Sequence, residues 1–68
     1  MYLNKIKGYN ELSAESKKTF DRVYADHQAI VEDKKNWSAI SVIDREIYLE
    51  VHFQNGFWLH FTADGSWY

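Results

Sequence analysis

The chain contains no cysteine and no proline, only three glycines among 68 residues, and no long apolar run. Without cysteine there is no disulfide, no thiolate metal site and no cysteine nucleophile. That absence fits a reducing compartment, and the expected location is cytoplasmic. No stretch approaches the roughly 20 apolar residues that span a bilayer. The first ten residues, MYLNKIKGYN, lack an apolar core of signal-peptide length, so no membrane association is expected. Positive charge is also scarce: eight Lys and Arg stand against ten Asp and Glu, a formal net charge of −2. Non-specific nucleic-acid binding rests on neutralising phosphates, which this balance does not favour. No glycine-rich phosphate-cradling motif is present. Ser13, Ser16, Ser38, Ser41 and Ser66 sit in cap, strand or turn contexts rather than in a nucleophile motif. The expectation is a chain that is not an enzyme and carries no cofactor. There are no repeats and no low-complexity tracts.

What is abundant is aromatic. Phe, Trp and Tyr make up 18% of the chain within a hydrophobic share of 46%. Aromatic side chains bury the most area per residue, which matters in a domain near the lower size limit for independent folding. The composition argues against disorder.

The most readable stretch is Glu46 to Thr62, EIYLEVHFQNGFWLHFT. Ile47, Leu49, Val51 and Phe53 alternate with Glu46, Tyr48, Glu50, His52 and Gln54, the period of a half-buried strand. After Asn55-Gly56 the alternation resumes, with Phe57, Leu59 and Phe61 set against Trp58, His60 and Thr62. Asn-Gly between alternating runs signals a hairpin. A two-residue loop would put Phe57, Leu59 and Phe61 on the face of Glu50 and His52. A three-residue loop, Gln54-Asn55-Gly56, pairs Phe53 with Phe57, Val51 with Leu59 and Leu49 with Phe61, leaving one face wholly apolar. Burial therefore selects the three-residue loop, with Gly56 left-handed in a bulge. Ala63-Asp64-Gly65 repeats that turn chemistry and would pair Thr62 with Ser66 and Phe61 with Trp67, so that Trp67 closes the core edge.

Upstream, Ser13 to Lys35 has the pattern of one long amphipathic helix. Ser13 suits the N-cap and Glu15 the first turn. Phe20, Val23, Tyr24, His27, Ile30 and Val31 form one apolar stripe. Lys34 and Lys35 would sit in the last turn, with Asn36 as the left-handed residue after it. His27 falls on the stripe, where a core-edge histidine with a hydrogen-bond partner is expected. Trp37 to Ile43 is the first strand. A two- or four-residue loop around Asp44-Arg45 would pair Val42 with Ile47 and Ile40 with Leu49, turning Trp37, Ala39, Ser41 and Ile43 outward. A three-residue loop would reverse the faces and bury Trp37. The stretch Asp44-Arg45-Glu46 has no glycine, which favours the first arrangement. Residues 1–12 read as an N-terminal arm or short turn: Tyr2, Ile6 and Tyr9 have helical spacing, but Gly8 interrupts it.

The expected fold class is α+β in αβββ order. One long amphipathic helix (13–35) packs on one face of an antiparallel meander (37–62) of three strands, or four if the segment 63–68 adds a turn and a short C-terminal strand. Residues 1–68 form a single domain. The expected core is Leu12, Phe20, Val23, Tyr24, Ile30, Val31, Ile40, Val42, Ile47, Leu49, Val51, Phe53, Leu59 and Phe61. The order overlaps part of the double-stranded-RNA-binding pattern. That fold ends in a helix and uses a basic helix face, whereas this chain ends in Trp67-Tyr68 and is acidic. In size and make-up the chain resembles the short proteins of bacterial and prophage genomes.

The sheet face turned away from the helix carries the candidate site: Trp37, Tyr48, Glu50, His52, Trp58 and His60, with Tyr68 at its margin. A one-layer sheet should present a plainly polar outer face, and this one carries rings. Exposed apolar surface marks interaction sites, and Trp and Tyr are enriched in interface hot spots. The same rings could instead serve only to stabilise a small sheet or be covered by the N-terminal arm. The function expected from this face is a small non-catalytic protein-interaction module, acting as adaptor, inhibitor or homodimer, with a protein partner or self-association. The alternative is single-stranded nucleic-acid binding by base stacking, which the absence of Lys and Arg over 46–62 and the charges of Glu46 and Glu50 disfavour. Glu50, His52 and His60 share a face and could reach one metal ion, but two histidines and a glutamate also occur there by chance, and no metal is expected. The helix's outward charges, Lys17, Lys18, Arg22 and Lys35 with Asp21, Asp26, Glu32 and Asp33, read as a solvated face. Lys5 and Lys7 would join a basic end only if the arm folds back.

Overall fold

A computed structural model describes residues 6–68. Tyr2 and Lys5, invoked above for the arm, lie outside the described residues. A 3-10 turn (Tyr9–Glu11) leads into helix α1 (Ala14–Ile30), followed by strands β1 (Ala39–Asp44), β2 (Leu49–Phe53) and β3 (Trp58–Phe61). The strands form one antiparallel sheet in the order β1-β2-β3. The fold is α+β, with the helix lying against one sheet face. Phe20 and Val23 of α1 are buried with Val42, Leu49, Val51, Phe53 and Phe61, and with Ile6, Leu12 and Ala39 at the margins. Tyr24 and Leu59 are half-buried against this cluster, as are Tyr9, Trp37 and Trp67.

The β2–β3 hairpin has the expected register. Leu49 faces Phe61, Val51 faces Leu59 and His52 faces Trp58. The Phe53 amide donates to the Phe57 carbonyl at 2.9 Å, and Gly56 has φ of 90°. The second turn also forms: the Thr62 amide donates to the Ser66 carbonyl, and Phe61 bridges Trp67. His60 and Tyr68 exchange both backbone hydrogen bonds, at 2.8 and 3.1 Å. This pairing is a single bridge rather than a fourth strand.

Three expectations are corrected. First, α1 ends at Ile30, not Lys35. The Asp33 carboxylate accepts from the Asn36 side chain at 2.6 Å, and the Trp37 amide donates to the Asp33 carbonyl at 3.1 Å. An aspartate that bonds locally offers the backbone a turn in place of another helical turn. Lys34, Lys35 and Asn36 therefore lie in that turn, Ile30 is 68% exposed and Val31 is only half-buried.

Second, β1 pairs four positions further along β2 than expected: Val42 faces Val51 and Asp44 faces Leu49. The loop spans four residues, Arg45 to Tyr48. Asp44 anchors it, because one carboxylate oxygen accepts from the Glu46 amide at 2.8 Å and the other from the Ser16 hydroxyl at 3.0 Å. Glu46 takes φ of 74°, and the Ile47 amide donates to the Arg45 carbonyl. Ile47 is thrown outward and is 83% exposed. A shift of four preserves the alternation, so Val42 still faces the core and Ser41 and Ile43 still face out.

Third, the register shifts between Ala39 and Ser41. This bulge seats Ala39 opposite Phe53 in the core and leaves Ile40 exposed. The Ala39 amide fixes this place by donating to the Tyr24 hydroxyl at 3.0 Å. Outside β1 runs the arm. The Lys7 amide donates to the Ile40 carbonyl at 3.1 Å, and the Val42 amide donates to the Lys7 carbonyl at 2.8 Å, a parallel bridge. Gly8 has φ of 90°, and an added Cβ would run into the Val42 carbonyl oxygen. The sheet edge is thereby covered by the chain itself.

Candidate functional site: the outer sheet face

Directly paired residues project to the same face. The registers therefore place Ile43, Glu50 and His60 in one cross-strand row and Ser41, His52 and Trp58 in the next. Tyr68 extends the first row through its pairing with His60, and Lys7 extends the second through its bridge to Ser41. Tyr48 stands just beyond the first row.

The rings are in mutual contact. His60 stacks on Tyr68 with centroids 4.5 Å apart and planes 9° apart. Tyr48 meets His60 edge-on at 4.2 Å, and Trp58 lies 4.9 Å from His60. His52 stacks on Trp58 at 5.9 Å and 16°. Trp58 remains 47% and Tyr68 65% exposed.

One charged cluster crosses this layer. The Glu50 carboxylate lies 2.6 Å from His52 Nε2 with one oxygen and accepts from Arg45 Nε at 3.1 Å with the other. Its hydrogen bond with His52, and then that with Arg45, hold the Glu50 carboxyl below the usual carboxylate range. His60 Nδ1 lies 3.2 Å from the Tyr68 carbonyl oxygen. The layer therefore combines apolar ring faces with a carboxylate whose charge is matched locally.

Tyr48, Glu50, His52, Trp58 and His60 are brought together as the strand alternation requires. Trp37 is not among them. It lies in the turn before β1, half-buried on the core side, with its ring 5.2 Å from His27 and 5.2 Å from Phe53. Arg45 and Lys7 were missed. No local pattern marks Arg45, which reaches Glu50 only because the loop is displaced toward β2, and Lys7 joins the face only through the arm's pairing. Ile43 and Ser41 were expected to point outward and do, but only the register showed which residues they neighbour. Glu50, His52 and His60 do not converge, and no group of His, Asp or Glu among the described residues is placed to hold a metal ion.

His27 is only 4% exposed, and its Nδ1 has no hydrogen-bond partner among the described residues. It sits among Trp37, Phe53 and Trp67 as a ring among rings, not with the expected polar partner. Burial pushes its pKa down. A separate half-open cleft of about 560 Å³ lies between the first turns of α1 and the Arg45–Tyr48 loop, floored by Leu49 and Phe61. No described helix is long and apolar enough to cross a membrane. No protein-family model, no curated protein and no solved structure matches this chain.

Proposed function

We propose that the protein is a small, non-catalytic interaction module that binds a protein partner through the outer face of its sheet, in the cytoplasm. The observation that carries this reading is the continuous ring layer Tyr48–His60–Tyr68 and Trp58–His52, in which Trp58 and Tyr68 keep about half or more of their surface in water. Removing that apolar surface from water stabilises a complex by roughly 25 cal/mol per Å². The rings are already stacked on one another and lose little freedom on binding, which reduces the entropic cost of association. The Glu50–His52–Arg45 cluster suits burial better than a lone carboxylate, because its charge is already compensated by hydrogen bonds.

The test is site-specific photocross-linking in an extract of the source cell. A benzophenone side chain is placed at Trp58 and, as the control, at Asp26 on the solvent side of α1. Adducts at Trp58 that are absent at Asp26, with the second copy or with another protein, are the expected result. If Trp58 gives no adduct beyond the Asp26 background, the outer face is not an interaction surface.

A further inference from the structure

The two rows of the outer face are complementary to each other, and this selects a partner. One row carries Ile43, Glu50, His60 and Tyr68; the other carries Lys7, Ser41, His52 and Trp58. Position by position, an aliphatic side chain stands beside a small one, an acid beside a base, and a ring beside a ring. A two-fold axis running between the rows, perpendicular to the strands, would lay each row on the opposite row of an identical molecule. Ile43 then meets Ser41, Glu50 meets His52 and His60 meets Trp58, and each contact occurs twice. Self-complementarity of this kind is what a two-fold interface requires.

We propose that the outer face pairs with the same face of a second copy of this chain in that row-on-row arrangement, and this rests on the reading of the face as a protein-binding surface. Size limits its strength. Five backbone segments lie side by side, from Lys7 through β1, β2 and β3 to Tyr68. At about 4.8 Å per strand gap and 3.4 Å per residue the face measures roughly 19 by 17 Å. That footprint, about 320 Å² before the relief of the rings is added, lies below the roughly 600 Å² per partner at the lower end of specific interfaces, so the dimer is weak and concentration-dependent. The second copy's Glu50 and His52 extend each existing Glu50–His52 hydrogen-bonded pair into an alternating ring of four groups, which leaves neither carboxylate without a partner.

Charge exchange tests the arrangement. In Glu50→Lys the introduced cation faces the imidazole of the second copy, and in His52→Glu the introduced carboxylate faces a second carboxylate. Each variant alone should dimerise at least about tenfold more weakly than the wild type by sedimentation velocity. An equimolar mixture should recover dimer, because the introduced lysine then meets the introduced glutamate while the native His52 and Glu50 meet each other. Ile43→Lys, at an exposed position that leaves the core untouched, should also yield monomer and serves if either charge variant fails to fold. The proposal is overturned if the wild type stays monomeric up to about 1 mM, if the single variants associate as the wild type does, or if mixing restores nothing. A monomeric wild type that still cross-links a different protein through Trp58 would sink the self-pairing and leave the interaction reading standing. A monomer with no adduct would remove both.

Discussion

The imidazole of His27 meets the indole of Trp67 edge-on, with centroids 5.4 Å apart and planes at 89°. Trp37 and Phe53 close two further sides at 5.2 and 5.4 Å. Such an enclosure accepts a neutral ring and resists a charged one, and burial alone lowers the pKa of His27 from its ordinary 6.5. The unfolded chain therefore takes up a proton in a range where the folded chain does not. Stability is fully present above about 6.5 and falls as pH drops below it. Urea midpoints at pH 7.5 and pH 5 should differ in that direction, and His27→Leu should remove most of the difference. An unchanged midpoint in the wild type would mean that His27 is hydrated.

Core membership separates residues that look alike in sequence. Phe61 is fully buried, whereas Ile47, an apolar member of the same alternating hairpin, is 83% exposed. Phe61→Ala should cost about 3–5 kcal/mol. Ile47→Ala should fall within about 0.5 kcal/mol of the wild type. Equal losses in chemical denaturation would restore the register that pairs Ile47 with Val42.

The contrast between those residues shows what was legible in the sequence. The β2–β3 pairing could be derived because the turn glycine and the alternation both sit within a few residues of each other. The β1–β2 loop could not, because its position depends on Asp44 bonding Ser16, a residue 28 positions away. The end of α1 was misplaced for a similar reason: Asp33 trades helix for a turn closed by the Asn36 side chain and the Trp37 amide. That turn carries Trp37 to the core side and removes it from the candidate face. The face itself was legible, because Tyr48, Glu50, His52, Trp58 and His60 follow from strand alternation alone. What alternation cannot supply is the neighbour across the next strand, so the Arg45–Glu50 bond and the place of Lys7 emerge only from the register.

Two glycines with the same φ of 90° should respond differently to alanine. Gly56 has open space where a Cβ would go, so Gly56→Ala carries only the left-handed backbone penalty, about 1–2 kcal/mol. At Gly8 the added carbon meets the Val42 carbonyl, which is backbone and cannot rotate aside. Gly8→Ala should therefore lose more stability than Gly56→Ala and loosen the Lys7 bridge. Hydrogen exchange reads the second effect as faster exchange at the Val42 amide, with little change at Val51 in the middle of the sheet.

Base stacking is the chemistry most easily confused with protein binding on an aromatic sheet face. A strand of nucleic acid also needs cations along its backbone path, and the described residues of this face do not supply them. Arg45 is engaged by Glu50, and the Glu50 carboxylate lies between the strands that bear Trp58 and Ser41. Among the described residues, Lys7 is the other cation of this face, and it stands at the far margin, four backbone segments from Tyr68. A phosphate drawn to Lys7 would leave the stacked bases near a negative group rather than a positive one. Short single-stranded oligonucleotides, titrated at low salt against the fluorescence of the three tryptophans, should give no saturable change up to about 100 μM. Saturable binding that weakens steeply with salt and is lost in Trp58→Ala would identify the ring layer as a nucleic-acid surface, and the protein-binding assignment would fall.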